Sequence, residues 1–366
     1  MIDQTRYSNR PIISKISLRD FETRKDEITR ALVAAAESEG FFAITDHGIP
    51  AEEIRAQFAQ AERFFALPDT AKPPFDREKN AGWEAREQVR PSTGLPDQKE
   101  SYQIRYDDYE MKECKGEGKG QGEGVWVLEE TLPGFRDACL AFMRAAQAVS
   151  EKIMVCLARG LRFTHDEEKG KGKGKGDVDE GYFTRVHDLV SDPEVQTVLR
   201  LLHYFPLDPT GALDKDKDTY HRAGAHTDWG LVTLLFQRPG EDGLEICCPR
   251  EGDGGCAGGG TTDEFGRGET WTKVEPLEGE IICNIGDLLM RWSDDRFKST
   301  LHRVRTPRDP AIDNFGPRYS MAYFNQPTKQ CRVQGPLGKY PPVSAADFIQ
   351  DAIRRNYAAL EARMKK

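Results

Sequence analysis

Apolar residues in the first part of the chain recur every three or four positions, which is the spacing of an amphipathic helix. In residues 26–38 they are Ile28, Leu32, Val33 and Ala36. Gly40 follows as a natural helix stop, and FFAIT predicts a short strand that ends in a turn. Residues 51–67 are again helical in pattern, and Pro68 ends them. The stretch from there to about residue 110 is rich in proline, glycine and charge, which predicts long loops.

A longer helix is predicted for residues 133–162, where one face is apolar throughout. Its apolar positions are Phe135, Cys139, Phe142, Ala146, Val149, Ile153 and Leu157. A helix of this length and pattern usually braces a sheet, so we expect a scaffold role for it.

Short apolar or alternating runs begin near residue 198 and are separated by glycine, proline and aspartate. They include VLRLLHYF, LVTLLFQ, EIICNIGDLL, STLHRVRT and RYSMAYF. Many short strands with turn signals predict a sandwich or barrel. The NIGD turn is interpreted as structural. A last helix follows Ser344, a plausible N-cap, so the expected class is a β-rich α+β protein with helices before and after a β-core.

Three low-complexity segments, 116–124, 167–177 and 252–269, are built from glycine with charged residues, and we expect solvated surface insertions. The chain then divides into four predicted regions. These are an N-terminal region at 1–125, a scaffold helix with an insertion at 126–190, the β-core at 191–335 and a C-terminal helix at 336–366.

Composition narrows the possible functions. The 366 residues carry a formal net charge of -9, which argues against a nucleic-acid partner. No apolar run is long enough for a membrane span, and no signal-peptide pattern appears at the N-terminus, so we expect a cytoplasmic protein. The eight cysteines form no CxxC pair and are expected to be reduced. Nothing in the sequence specifies an oligomeric state.

The candidate chemistry begins at AHTDWG, where His226 and Asp228 stand two positions apart. On a strand, such residues point to the same face. His302, in a second strand-like run, adds another imidazole. Two histidines and one carboxylate that leave open positions are the pattern of non-haem iron(II) oxygenases, although zinc can use the same ligands.

A second pair follows in PRYSMAYF, where Arg318 and Ser320 are again two positions apart. A guanidinium and a hydroxyl on one strand face form a good clamp for a carboxylate. The clamp favours an organic acid as co-substrate beside the metal.

Together, GFFAITDHGIP, FFALP, DQKESYQI, HTD, the distant histidine and RYS resemble the isopenicillin N synthase-like superfamily of iron(II)/2-oxoglutarate dioxygenases. The resemblance covers most of the chain and implies a double-stranded β-helix, a jelly-roll fold. It implies that His226, Asp228 and His302 bind Fe(II). It also implies that Arg318 and Ser320 hold the far carboxylate of 2-oxoglutarate, with Tyr204 nearby.

The amino-acid sequences of these motifs are most similar to those of fungal members of the superfamily, among them thymine hydroxylase. That similarity implies substrate contacts for Trp229, Phe324 and Arg200, although Trp229 stands where thymine hydroxylase has a tyrosine. The expected function is oxidation of a C–H bond of a small molecule with Fe(II), 2-oxoglutarate and O2, in secondary metabolism. The alternatives are an iron oxidase without 2-oxoglutarate, a nucleobase hydroxylase and a non-enzymatic binding protein.

Overall fold

The computed structural model describes residues 13–89, 96–106, 125–163, 178–208, 221–247 and 271–364. The three low-complexity segments lie outside these ranges, as do Cys114, Cys248 and Cys256. The remaining five cysteines are buried and form no disulfide with one another. No helix among the described residues is long and apolar enough to cross a membrane.

The three predicted long helices are confirmed. They are α1 (Phe21–Glu37), α2 (Ala51–Phe65) and α3 (Phe135–Leu161). All seven apolar positions predicted for α3 are buried. This helix packs against α1 and α2 on one side and against the large sheet on the other, so it braces the sheet as expected.

Two short α-helices and a C-terminal one are the other α-helices of the described residues, and Asp69–Ala71 form a single 3-10 turn. These α-helices are α4 (Tyr182–Arg185), α5 (Asp287–Trp292) and α6 (Ala345–Met364). The Ser344 side chain accepts the backbone N–H of Asp347 at 3.0 Å, and the Asp347 carboxylate accepts the Ser344 hydroxyl. Ser344 therefore caps α6 as the sequence predicts.

Ten of the fourteen described strands lie in the second half of the chain, and four lie in the first. They are β1 (Ser14–Ser17), β2 (Phe41–Thr45), β3 (Gly82–Ala85), β4 (Lys99–Arg105), β5 (Val198–Tyr204), β6 (His221–His226), β7 (Val232–Gln237), β8 (Leu244–Cys247), β9 (Trp271–Lys273), β10 (Ile281–Ile285), β11 (His302–Arg305), β12 (Arg318–Asn325), β13 (Arg332–Val333) and β14 (Val343–Ser344).

The prediction of loops up to residue 110 was wrong for β3 and β4. The polar composition misled it, because β4 buries charged residues that pair with opposite charges outside the strand. Lys99 bonds Asp97 at 2.9 Å, and the Glu100 carboxylate accepts the Lys72 ammonium at 3.0 Å. Internally paired charges can occupy a buried strand that composition alone assigns to solvent.

Twelve of the described strands form two facing sheets, and β13 and β14 pair as a separate two-stranded sheet. The large sheet has the order β1-β2-β10-β7-β12-β5-β4-β3, and the small one has the order β6-β11-β8-β9. One face of the large sheet packs on the helices through the main hydrophobic core. Its other face meets the small sheet through residues such as Phe41, Ile282 and Ile246. Two packed sheets of mainly antiparallel strands are the jelly-roll arrangement.

Gly40 shows why the turn after α1 needs glycine. Its φ is +68°, and a Cβ built there would lie 2.0 Å from the carbonyl oxygen of Lys298. The Gly40 N–H bonds the Ala35 carbonyl, and its own oxygen accepts the Ile285 N–H. This close approach ties the end of α1 to the large sheet.

We expect Gly40→Ala to lower the free energy of unfolding by about 3–5 kcal/mol, because left-handed strain and a backbone clash add together. Gly279→Ala is the matched control. Gly279 has a φ of +78°, but a Cβ there meets no described atom within 4 Å, so about 1–2 kcal/mol is expected. Urea denaturation measures both variants, and equal losses would contradict the clash.

A candidate metal centre and its cavity

His226 and His302 face each other across two strands of the small sheet. Strands β6 and β11 are antiparallel, and their register places His302 directly opposite His226. The two ring centroids are 4.4 Å apart. Asp228 lies two residues beyond the end of β6, not on the strand as the sequence spacing suggested. One ligand atom from each of the three side chains lies within 4.8 Å of the other two.

Backbone carbonyls set the orientation of both imidazoles. Nδ1 of His226 is 2.7 Å from the Gly224 oxygen, and Nδ1 of His302 is 3.1 Å from the Thr300 oxygen. A carbonyl can only accept a hydrogen bond, so each Nδ1 carries the proton. Each Nε2 therefore carries the lone pair that a metal ion requires.

The carboxylate of Asp228 is fixed on one side and open on the other. Its Oδ2 accepts the Thr233 hydroxyl at 2.6 Å and the Asn284 amide at 2.8 Å. Its Oδ1 lies 3.8 Å from Nε2 of His302. Two neutral imidazoles and one carboxylate oxygen suit Fe(II) and leave room for other ligands. Sequence reasoning gave Asn284 only a structural role, because nothing local shows that its strand reaches Asp228.

The loop that carries Asp228 is anchored to the start of α5. The Asp287 N–H bonds the Asp228 carbonyl at 2.7 Å, and the Asp287 carboxylate accepts the hydroxyls of Thr227 and Ser299. Burial raises the pKa of Asp287 to about 6, in spite of these two hydrogen bonds. The NIGD turn predicted as structural thus also holds the candidate ligand loop.

Asp97 links the N-terminal part of the chain to His226. Its carboxylate accepts the Gly224 N–H at 2.9 Å, and the Gly224 oxygen in turn contacts Nδ1 of His226. Asp97 is 2% exposed and also pairs with Lys99. The aspartate therefore helps to fix the strand segment that orients His226.

Arg318 and Ser320 lie side by side on β12 and are 0% and 1% exposed. Arg318 donates Nε to the Glu241 carbonyl at 2.9 Å and Nη2 to Gln237 at 2.8 Å, and Nη1 is 3.4 Å from the Ser320 hydroxyl. The guanidinium also lies 4.7 Å from the centre of the Tyr204 ring. These contacts hold the clamp in one orientation, as the strand spacing predicts.

A second buried guanidinium, that of Arg222, lies close to Arg318. Burial and the charge of Arg318 lower the pKa of Arg222 to about 10. Two cations that repel each other in a buried region favour an anion beside them. A dicarboxylate that reaches Arg318 would relieve that repulsion.

One cavity of about 980 Å³, including its opening, brings together all nine residues selected from the sequence. They are His226, Asp228, His302, Arg318, Ser320, Tyr204, Trp229, Phe324 and Arg200. The cavity wall also contains Asn80, Gln88, Lys99 and Gln103, which sequence reasoning missed. Lys99 and Gln103 come from the DQKESYQI motif, but only the strand register shows that they face the cavity.

The large sheet forms the wall on which Arg200 and Phe324 lie. Arg200 donates Nε to the Gln103 side chain at 2.7 Å, and its guanidinium lies 5.3 Å from the Phe324 ring centre. Trp229 is half-buried on another wall, where it packs against Ile349 and Ile353 of α6. Aromatic and cationic groups thus surround the part of the cavity away from Arg318.

Two family models match the chain. The model for the 2OG-Fe(II) oxygenase superfamily matches residues 197–327, and the model described as non-haem dioxygenase in morphine synthesis N-terminal matches residues 11–123. The chain belongs to the 2OG-Fe(II) oxygenase superfamily. The jelly-roll expected from the sequence is the double-stranded β-helix of these enzymes.

Fungal relatives of this oxygenase agree with the assignment. The 2-oxoglutarate-Fe(II) type oxidoreductase hxnY of Emericella nidulans is 29% identical over 360 residues, which cover 93% of this chain and 88% of hxnY. The 2-oxoglutarate-dependent dioxygenase caaD of Aspergillus niger is 27% identical over 339 residues, which cover 92% of this chain and 88% of caaD.

Solved structures agree as well. The full-length thymine hydroxylase of Neurospora crassa, in complex with alpha-KG and thymine, superimposes with a TM-score of 0.72 at 26% identity, covering 96% of this chain and 98% of the hydroxylase. The protein is thus an enzyme that uses Fe(II), 2-oxoglutarate and O2 to oxidise a small molecule. Of the alternatives left open by the sequence, the comparisons do not support an iron oxidase without 2-oxoglutarate or a non-enzymatic binding protein.

We expect Asn284→Ala to weaken Fe(II) binding by about 10–100-fold, because it removes one of the two donors that fix Asp228. Anaerobic competition with a chromogenic chelator measures the dissociation constant. Asn314→Ala, in an exposed loop outside the cavity wall, serves as the control and should bind Fe(II) as the parent does. Unchanged affinity in both variants would show that the Asn284–Asp228 contact does not position a ligand.

Proposed function

We propose that His226, Asp228 and His302 are the iron ligands of this oxygenase. The observation that supports this most directly is their convergence, with three ligand atoms within 4.8 Å of one another. Among the described residues this is the one group of histidine, cysteine and acidic side chains with such spacing. Hydrogen bonds occupy Nδ1 of both histidines and Oδ2 of Asp228. The Nε2 atoms and Oδ1 therefore remain as the ligand atoms for the metal.

The same proposal assigns 2-oxoglutarate to the clamp. Arg318 and Ser320 would bind its far carboxylate, and Tyr204, under the guanidinium, would lie against the co-substrate. Arg318 is fully buried and its described side-chain partners are uncharged, so a carboxylate would give it a counter-charge. The adjacent Arg222 strengthens the preference for a dianion at this end.

Trp229, Phe324 and Arg200 then lie where the substrate would bind. An indole, a phenyl ring and a guanidinium favour a small, flat molecule that carries polar atoms at its edge. The Neurospora crassa hydroxylase has been solved with thymine and with 5-formyluracil, which are molecules of this shape. Nucleobase hydroxylation therefore remains a second candidate function. The indole of Trp229 is wider than the tyrosine ring at this position of thymine hydroxylase, so it changes the shape of the substrate pocket.

The chain's own residues position and enclose the reaction. Bound Fe(II) would supply the site at which O2 converts 2-oxoglutarate to succinate and CO2 while a substrate C–H bond is oxidised. Arg318 fixes one end of the co-substrate, and the aromatic walls exclude water and hold the substrate close to the histidines. We place the enzyme in fungal secondary metabolism and in the cytoplasm, with no nucleic-acid partner.

We expect His226→Ala to lose tight Fe(II) binding and all 2-oxoglutarate-dependent succinate formation, because two ligands hold the ion poorly. Anaerobic titration and a succinate assay with a panel of flat metabolites measure these losses. His203→Asn changes a histidine outside the cavity wall and should bind Fe(II) normally. A fully active His226→Ala enzyme would overturn the ligand assignment.

We expect Arg318→Gln to weaken 2-oxoglutarate binding by about 100-fold while Fe(II) affinity stays within about twofold, because the lost interaction is a charge-assisted pair in a buried site. Calorimetry on the Fe(II)-loaded protein, without O2, measures both constants. Exposed Arg332→Gln is the matched control. Retained 2-oxoglutarate affinity in Arg318→Gln would place the co-substrate elsewhere.

A further inference from the structure

Two cations line the cavity on the strands next to β12, Arg200 on β5 and Lys99 on β4. Lys99 on β4 lies opposite Tyr204 on β5, and Tyr204 lies opposite Arg318 on β12. Arg200 lies opposite Gln103, four residues further along β4. Positions four apart on a strand share a face and are about 13 Å apart. Lys99 and Arg200 therefore stand at the two ends of the β4–β5 wall.

Lys99 is a buried ammonium with an incomplete set of partners. It is 5% exposed, and its Nζ donates to Asp97 at 2.9 Å, its one hydrogen bond to a described residue. An ammonium has three N–H groups. Two of them remain for whatever enters the cavity, while Asp97 neutralises the charge.

Arg200 is held in place but lacks a counter-charge. Its Nε bonds Gln103, whose own amide donates to the Asn80 carbonyl at 2.6 Å, and its guanidinium lies over Phe324. No carboxylate among the described residues pairs with Arg200. The planar end of the guanidinium remains, and its fork matches a carboxylate.

The net charge of the cavity with Fe(II) and 2-oxoglutarate bound indicates the charge of the substrate. This step rests on the proposed function. The positive charges of Fe(II) and Arg318 are balanced by Asp228 and the two carboxylates of 2-oxoglutarate, and that of Lys99 is balanced by Asp97. Arg222 lies outside this cavity wall and interacts with the carboxylates of Glu241 and Asp313. Arg200 is left as one half-buried positive charge on the cavity wall without a carboxylate partner among the described residues. Charge-assisted hydrogen bonds are strong and are screened less where the groups are partly buried, so a ligand that neutralises Arg200 gains affinity.

We propose that the substrate is a small flat monoanion, a ring carboxylate, whose carboxylate binds the fork of Arg200. The ring lies along Phe324, and Lys99 donates to a second acceptor oxygen of the same molecule. A neutral nucleobase would leave the charge of Arg200 unpaired.

The test uses the full chain loaded with Fe(II) and saturating 2-oxoglutarate in the absence of O2, with calorimetry on matched ligand pairs. The pairs are benzoate and benzamide, indole-3-acetate and indole-3-acetamide, and orotate and orotamide. We expect the anion of the preferred pair to bind at least about tenfold more tightly than its neutral partner. In Arg200→Gln that ratio should fall to within about twofold, whereas in Arg332→Gln it should persist.

Lys99 is tested separately, because its loss should weaken the binding of both members of a pair, whereas the loss of Arg200 should weaken only that of the anion. The double variant Asp97→Asn with Lys99→Met removes both charges of the buried pair and keeps an acceptor for the Gly224 N–H. This variant should bind both members of the preferred pair more weakly by a similar factor. The ratio of their dissociation constants should therefore stay unchanged. Thermal melting of each variant shows whether it is folded.

Three results would overturn the inference. The first is equal binding of the anion and its neutral partner in every pair, and the second is a preference for the anion that survives Arg200→Gln. The third is loss of that preference in the Asp97/Lys99 double variant but not in Arg200→Gln. Failure of the proposed function is a different result, since the wild-type chain would then not bind Fe(II) and 2-oxoglutarate before any pair is added.

Discussion

The proposed metal centre depends on the register of two antiparallel strands, β6 and β11. That register sets His226 directly opposite His302, and the carbonyl that fixes each imidazole lies two residues before it in the chain. A slip of one residue would turn one histidine to the opposite face of the sheet. Asp228, just beyond β6, then needs only a short turn to join them, and Thr233 and Asn284 from the large sheet hold it there.

The cavity residues of the large sheet lie on several neighbouring strands. Arg318, Ser320 and Phe324 share one face of β12, because they are an even number of residues apart. The neighbouring β5 and β4 add Tyr204, Arg200 and Lys99 on the same side through their register. The proposed co-substrate end and the proposed substrate end are thus parts of one sheet surface, and their separation follows from strand geometry.

Much of this could be predicted from residue patterns, but not all of it. The period of the apolar positions predicted the long helices, and the pairs at i and i+2 identified Arg318 with Ser320. The strand β4 was missed because its buried charges resemble a solvent-exposed loop. The contacts of Asn284 with Asp228 and of Asp97 with Gly224 join residues far apart in the chain. No local pattern contains them, since they arise only when the two sheets are assembled.

Strand β4 connects substrate selection to the metal centre. Its residues Lys99 and Gln103 line the cavity, and Asp97, just before it, supports both Lys99 and the Gly224 segment that orients His226. Gln103 can change without disturbing any candidate ligand, so substrate preference can vary there at little cost to the iron site. Asp97 is more constrained, because its one carboxylate contacts both Lys99 and Gly224. The N-terminal region therefore supports the proposed iron site through a buried aspartate, while Lys99 and Gln103 on β4 face the cavity.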